Sequence, residues 1–312
     1  MDSQNKPDFF IVGAPKCGTT SLCYYLSQHP EIFMPEEKEP NFFNTDIVHY
    51  KRDLEEYLNL FSDHRHELCG EGSAWYLYSN TAAQAIKQFN PQAKIIIALR
   101  DPVALIESLH SENMVCGYET IKDLPRAIEA EALRKNGQLA VKSATLKQRW
   151  YCHDWYLYRN VAAFSNQVKR YLEHFDHENI HFVIFDDLCK DTRGEYKRLL
   201  QFLGAENTDF EPEFDIQRSN RQVKYSRFYS FFAAPPDSLI RFIRRITPNV
   251  LKPVISKLGW QIISGAKRVL TIPKARQSND LTFRTQLKQQ FESEVMQLSK
   301  LLNRDLTHWV SR

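Results

Sequence analysis

The residues best suited to chemistry in this chain are the nine from Gly13 to Ser21, Gly-Ala-Pro-Lys-Cys-Gly-Thr-Thr-Ser. They gather one lysine, three hydroxyls and two glycines behind the apolar run Phe9-Phe10-Ile11-Val12. Leu22-Cys23-Tyr24-Tyr25-Leu26 follows, with apolar spacing that suits a helix. The pattern is a strand, a Gly-containing turn and a helix N-terminus. Unpaired backbone N–H groups and the positive end of the helix dipole make such a start an anion site. A phosphate or sulfate ester is its natural ligand. A second cluster begins where the apolar run Ile95–Leu99 ends in Arg100-Asp101-Pro102-Val103, after which a helical pattern leads to Ser108. Ligands of doubly wound sheets bind beyond the carboxyl ends of the strands, so Arg100 belongs near Lys16. The planar fork of an arginine donates two parallel hydrogen bonds to phosphate oxygens.

Gly13 and Gly18 have the separation of the G-x-x-x-x-G-K phosphate loop, but Thr19 follows the second glycine and the lysine, Lys16, lies inside the turn. A lysine after the second glycine reaches the β- and γ-phosphates of a triphosphate. Inside the turn its ammonium is nearer the first phosphate and its leaving group. Pro-Lys-x-Gly-Thr-Thr-Ser after a strand resembles the 5′-phosphosulfate loop of sulfotransferases that use 3′-phosphoadenosine 5′-phosphosulfate (PAPS). The resemblance implies that Lys16, Cys17, Gly18, Thr19, Thr20 and Ser21 hold the phosphosulfate of PAPS, which leaves as adenosine 3′,5′-bisphosphate. Arg100 and Ser108 match the Arg and Ser that hold the 3′-phosphate in that family.

Met34-Pro-Glu-Glu-Lys38-Glu39-Pro-Asn-Phe42-Phe43 looks like the Lys-Glu-x-x-Phe-Phe segment of the heparan-type and bacterial carbohydrate branch. The resemblance makes Glu39 the general base, a role that usually contributes ~10² to 10⁴-fold, with Lys38 beside it to stabilise sulfuryl charge. A solvated charge run is the plainer reading, against which Phe42 and Phe43 imply an anchor on apolar surface. His110, two residues beyond Ser108, is a further candidate as acid or acceptor contact. Cys69-Gly-Glu71-Gly72-Ser73-Ala74-Trp75-Tyr76 matches a segment that in relatives reads Gly-Glu-Lys-Ser-Pro-x-Tyr. Gly72 replaces the lysine and Ala74 the proline, which weakens the case for a polyanionic glycan acceptor and favours a natural product or lipid. Arg218, Arg221 and Lys224, in a run extending to Arg227, occupy the slot of a basic loop over the 3′-phosphate. Asp186-Asp187-Leu188 matches an acidic family motif, and Leu306-Thr-His-Trp309 resembles the family's usual close.

The elements that must position these residues follow from the apolar pattern. Runs at 9–12, 95–99 and 181–185 alternate with amphipathic stretches, as in an α/β fold with a parallel β-sheet flanked by helices. With 312 residues and 43% hydrophobic content, a single domain over 1–312 is expected, carrying a P-loop-like strand-loop-helix. Tyr196–Gly204 reads as a helix closed by its glycine. The six cysteines are scattered without C-x-x-C pairs, so neither a disulfide framework nor a zinc site is expected. No metal is expected in the reaction, because no acid suited to hold Mg²⁺ is evident. The first strand begins within about eight residues, which leaves no signal peptide, and no apolar run reaches the ~20 residues of a membrane span. A cytoplasmic, bacterial enzyme is the expectation.

Net charge is +3 but uneven: 218–276 holds thirteen Lys/Arg against one acid, Asp237. This stretch is read as a cap over a doubly charged nucleotide. Its basic, apolar-faced segment 238–260 would also suit a membrane surface. Nucleic acid is not an expected partner, since no aromatic stacking platform accompanies the charge. A hydroxyl or amine on a small molecule or carbohydrate is the expected acceptor. Two other classes compete with sulfuryl transfer. One is a nucleotide-dependent kinase with an altered P-loop, and the other a silent nucleotide-binding or membrane-associated protein.

Overall fold

The computed structural model describes residues 6–48, 52–62, 68–116, 118–139, 153–215, 221–223, 271–273 and 281–311. Its centre is a five-stranded sheet in which every pairing is parallel. In chain order the elements are β1 (Phe9–Gly13), α1 (Thr19–Leu26), β2 (Ile32–Phe33), α2 (Leu54–Leu58), β3 (Leu68–Gly72), α3 (Ala82–Phe89), β4 (Lys94–Leu99) and α4 (Pro102–Val115). Then come α5 (Leu124–Glu129), α6 (Glu131–Lys135), α7 (Tyr158–Ala162), α8 (Phe164–His174), β5 (Ile180–Ile184), α9 (Phe185–Lys190) and α10 (Thr192–Leu203). A two-stranded antiparallel pair, β6 (Arg221–Val223) with β7 (Thr271–Pro273), and a long helix, Leu281–Leu301, complete the described chain.

The sheet order is β2-β3-β1-β4-β5, so β1 is the middle strand and the chain departs to either side of it. That reversal opens a crevice at the carboxyl ends of β3, β1 and β4. All five residues of β1, and every residue of β4 after Lys94, are buried, as the apolar runs require of strands covered on both faces. The strand expected at 181–185 is observed one residue earlier, because Phe185 already opens α9. The helix starts also obey local chemistry. Asp101 accepts from the N–H of Val103, with Pro102 in the first turn of α4. At the end of α10, Gly204 takes φ 82, as expected of its closing glycine.

The core is apolar, but among the described residues it also encloses six fully buried tyrosines, Tyr57, Tyr76, Tyr156, Tyr158, Tyr171 and Tyr196. A buried phenol must find a partner for its hydroxyl. Tyr171 donates to the Tyr76 carbonyl at 3.1 Å, and Tyr158 to Glu119 at 2.8 Å, where Arg134 also closes a buried ion pair. Such bonds fix the layers against one another in a way that apolar contact alone does not. The long helix lies against α8 and α4. Trp309 beyond it donates to Asp186 at 2.6 Å, and Arg304 pairs with Asp187, tying the chain's end to the acidic run after β5.

Candidate active site

The turn from Gly13 to Gly18 lies at the end of β1 and leads into α1. Gly18 stands at the head of α1 with φ 90, and no side chain caps the helix there. The first N–H groups of a helix have no partner within it, so this end keeps its donors for an anion. Lys16 has φ 65, a left-handed backbone that a side-chain-bearing residue adopts only when its surroundings impose it. Part of that constraint is visible: Arg100, leaving β4, donates from Nη1 to the Lys16 carbonyl at 3.3 Å. The guanidinium of Arg100 lies over the ring of Phe185, 4.3 Å from its centre, so one face of the fork is fixed by cation–π contact. Cys17 faces the core, its Sγ against the Pro15 carbonyl, and burial pushes its thiol up to about 12. Its side chain therefore contributes packing, and only its backbone belongs to the loop.

A second segment meets this loop from the side. Lys38 donates to Thr20 Oγ1 at 2.7 Å and pairs with Glu39 Oε1 at 3.0 Å, so one ammonium joins the start of α1 to the carboxylate. Glu39 and Asn41 both have left-handed backbones, with φ 59 and 52. Glu39 donates its N–H to the Gly72 carbonyl at 3.1 Å, and the Asn41 side chain donates to the Glu39 carbonyl at 2.7 Å. Beyond them Phe42 stacks on Tyr57 at 4.3 Å, and Phe43 meets Phe10 edge-on at 5.7 Å. These rings supply the apolar anchor that the sequence implied. Beneath the segment, Glu71 of β3 is fully buried among the hydroxyls of Ser73, Tyr57 and Tyr76. Burial, only partly offset by those hydrogen bonds, raises its carboxyl to about 7.

Hydrogen bonds thus join Arg100 to Lys16 and Lys38 to both Thr20 and Glu39, and the two sets meet where the turn carrying Lys16 runs into the start of α1 at Thr20. Ser108 is buried on α4, one turn before Glu112, and residues four apart share a helix face. Glu112 pairs with Lys16 at 3.3 Å, so that face of α4 is turned to the loop. His110 lies about 200° around the helix from Ser108. Its ring is buried, with Nε2 against the Ile121 carbonyl at 2.8 Å, and burial lowers its basicity. The loop and His110 are not brought together. Ser73 is likewise occupied inward, between Glu71 and the Asn41 N–H. Trp75 stacks on Trp155 at 5.5 Å, while Tyr156 is wholly buried.

Arg221 begins β6, which lies against α4. Arg218, Lys224 and nearly all of the basic stretch 218–276, including 238–260, lie outside the described residues. A Cβ on Gly72 would come within 2.5 Å of Cys23 Sγ, so the glycine leaves the space that Cys23 fills. Glu112 and Glu71 escaped the sequence reading. The first had a usable signal, its spacing of four from Ser108. The second stood in the quoted Cys69–Tyr76 segment beside its partners Ser73 and Tyr76, but nothing in the spacing showed that it would be buried and would direct them.

A sequence profile described as "Sulfotransferase domain" matches residues 6–234. The chain belongs to this sulfotransferase family. Its parallel sheet with flanking helices is the family's fold. Among curated relatives, it is similar to the membrane-associated sulfotransferase kil1 of Dictyostelium discoideum, 36% identical over 101 residues, which cover 31% of this chain and 21% of that protein. It is 30% identical to carbohydrate sulfotransferase 15 of Mus musculus over 153 residues, 35% of this chain and 27% of that one. The chain thus spans only about a fifth to a quarter of the length of these relatives. The crystal structure of a sulfotransferase from Alicyclobacillus acidocaldarius superposes with a TM-score of 0.69 at 26% identity, covering 98% of this chain and 99% of that one. No helix of the described residues is long and apolar enough to cross a membrane.

Proposed function

We propose that this sulfotransferase takes its sulfuryl group from PAPS and delivers it to a hydroxyl or amine of a small-molecule or carbohydrate acceptor, with Glu39 as general base. The observation that carries this reading is the Lys38 ammonium held between Thr20 and Glu39, which sets a carboxylate beside the anion-binding turn. When bound, PAPS supplies a sulfuryl group joined to a good phosphate leaving group. The chain's own residues divide the remaining work. The open N–H groups at the head of α1, with Lys16, bind the 5′ end and stabilise the charge that grows on its phosphate. Arg100, its fork oriented by Phe185, and Ser108 hold the 3′-phosphate. Glu39 accepts the proton that the acceptor loses as it attacks, and Lys38 keeps that carboxylate directed at the site. His110 has no part in this reading.

The residues suit the bisphosphate nucleotide: three cations, Lys16, Lys38 and Arg100, and a helix start are gathered at the crevice. Glu112 must give up Lys16 as the anion enters, an exchange of one oxyanion for another. The test is calorimetric titration with adenosine 3′,5′-bisphosphate in the absence of Mg²⁺, beside Arg100→Ala and with ATP as control. Micromolar binding that is lost in the variant and not given by ATP is expected. Binding of ATP–Mg²⁺ instead would overturn the donor assignment in favour of a kinase. Radiolabelled sulfate transfer to a panel of desulfated oligosaccharides and small hydroxylated or amino compounds then identifies the acceptor, and Glu39→Gln tests the base.

A further inference from the structure

Below the segment that carries Glu39 lies a carboxylate the proposed reaction does not use. Glu71, at the end of β3, accepts from Ser73 Oγ at 2.6 Å on one oxygen, and from Tyr57 and Tyr76 at 2.7 and 3.1 Å on the other. A hydroxyl has one proton and two lone pairs. Ser73 and Tyr76 direct their protons at Glu71, which leaves their oxygens as acceptors. Those oxygens receive backbone N–H groups: Asn41 on Ser73 at 3.1 Å, and Phe42 and Phe43 on Tyr76 at 2.8 and 3.4 Å. Three successive donors in the turn after Glu39 are therefore held by two hydroxyls, and one carboxylate sets the direction of both. The turn requires such restraint, because Glu39 has a left-handed backbone that residues of its type seldom adopt unaided, whereas Asn41, also left-handed, is of a type that tolerates it.

We propose that Glu71 is a positioning residue: through Ser73 and Tyr76 it fixes the backbone of Asn41–Phe43, and with it the direction in which Glu39 presents its carboxylate. The importance of this direction rests on reading Glu39 as the base; the restraint itself does not. An amide is a poor substitute for Glu71. In Glu71→Gln one orientation turns the NH₂ toward Ser73, the other toward Tyr57 and Tyr76, so either way a hydroxyl already accepting from the backbone meets a second donor. Tyr57 differs from the other two partners, since no backbone donor is held by it among these bonds. Tyr57→Phe is the variant that removes a Glu71 partner while sparing the relay.

The experiment is amide hydrogen exchange read on protein labelled with ¹⁵N at Asn and Phe, for the wild type, Glu71→Gln and Tyr57→Phe. Denaturant stability and calorimetry with adenosine 3′,5′-bisphosphate are measured on the same samples. In Glu71→Gln, exchange at Asn41, Phe42 and Phe43 is expected to rise about tenfold or more over that of Phe9 and Phe10 in β1. Nucleotide affinity stays within about twofold, and kcat for an acceptor found in the panel above falls while the donor KM holds. Tyr57→Phe leaves exchange at 41–43 near the wild-type rate. Unchanged exchange at those three amides in Glu71→Gln would overturn the proposal. So would an equal acceleration at Phe9 and Phe10, which would mark a general loss of core stability. Failure of the base reading appears separately, as full activity of Glu39→Gln with the exchange pattern intact.

Discussion

The two halves of the candidate site are built on opposite principles. On the side proposed to hold the donor, the groups come in short pieces at the ends of neighbouring strands: a turn of six residues, the head of one helix, and an arginine at the end of the adjoining strand. Their ligand is meant to meet backbone N–H groups and permanent cations, and little lies behind them but packed apolar surface. The side proposed for the acceptor has two charges in front and a buried polar lattice behind. Glu39 depends on Gly72, Asn41 on Ser73, and Phe42 and Phe43 on Tyr76, with Glu71 beneath. The lesson is that binding charge needs only a helix start, whereas aiming one carboxylate takes hydroxyls from α2 and the turn after β3, gathered around the Glu71 carboxylate of β3.

This contrast can be broken from either end. The largest effect is expected of Glu39→Gln, which should lower sulfuryl transfer by ~10² to 10⁴-fold while calorimetry finds nucleotide binding unaltered. A parallel loss of nucleotide affinity would merge the two halves into one. Arg100→Ala should do the reverse, weakening adenosine 3′,5′-bisphosphate by about 10- to 100-fold, the range for hydrogen bonds to a charged group. Exchange rates at 41–43 should stay as in the wild type.

A pH dependence sharpens the acceptor side. Burial disfavours the charge and raises the folded Glu71 carboxyl to about 7, against an ordinary value of 4.5, so the acceptor-only carboxylate that receives all three hydroxyls is the form present above about 7, the pH range for the exchange comparison. Between those values the native state binds more protons than the unfolded one, so this group's stabilising contribution is complete below 4.5 and is lost as pH rises through about 7. Denaturation midpoints at pH 5 and pH 8 should differ less in Glu71→Gln than in the wild type, and an equal difference would refute that origin. The smallest effect belongs to Glu112→Gln. It removes a part-exposed competitor for Lys16, worth ~0.2–1 kcal/mol, and should tighten nucleotide binding by up to about fivefold. Weaker binding in that variant would mean that Glu112 orients Lys16 and does not compete for it.

The same contrast decides what could be read in advance. The donor loop is contiguous, so Gly13–Ser21 and the strand before it were legible, as were β4, its terminal arginine and the helix closed by Gly204. The β3 strand was not recognised as one, because Leu68-Cys-Gly-Glu-Gly combines two glycines with a carboxylate and has the composition of a turn. Its pairing with β1, Phe9 opposite Gly70 and Ile11 opposite Gly72, and with β2, Phe33 opposite Cys69, makes it a strand. Phe185 was read as the end of a strand, whereas its place at the start of α9 is what brings its ring beneath Arg100. His110 was chosen for its chemistry, although the spacing from Ser108 pointed to Glu112. The sulfuryl-transfer chemistry of the family was thus visible from two short motifs, while the scaffold behind Glu39 depends on hydroxyls that only folding turns toward a buried carboxylate.

The closeness of Gly72 and Cys23 has a consequence for how this site can change. A side chain at 72 needs the space now filled by the Cys23 sulfur, so Cys23 must turn to another rotamer or shrink before a larger residue fits. The two positions form a single mutational decision, in which the order of steps matters and the effects of the single changes do not add. A library that varies position 72 alone samples a constrained landscape. One that varies 72 and 23 together opens a route by which a further cation could enter the crevice.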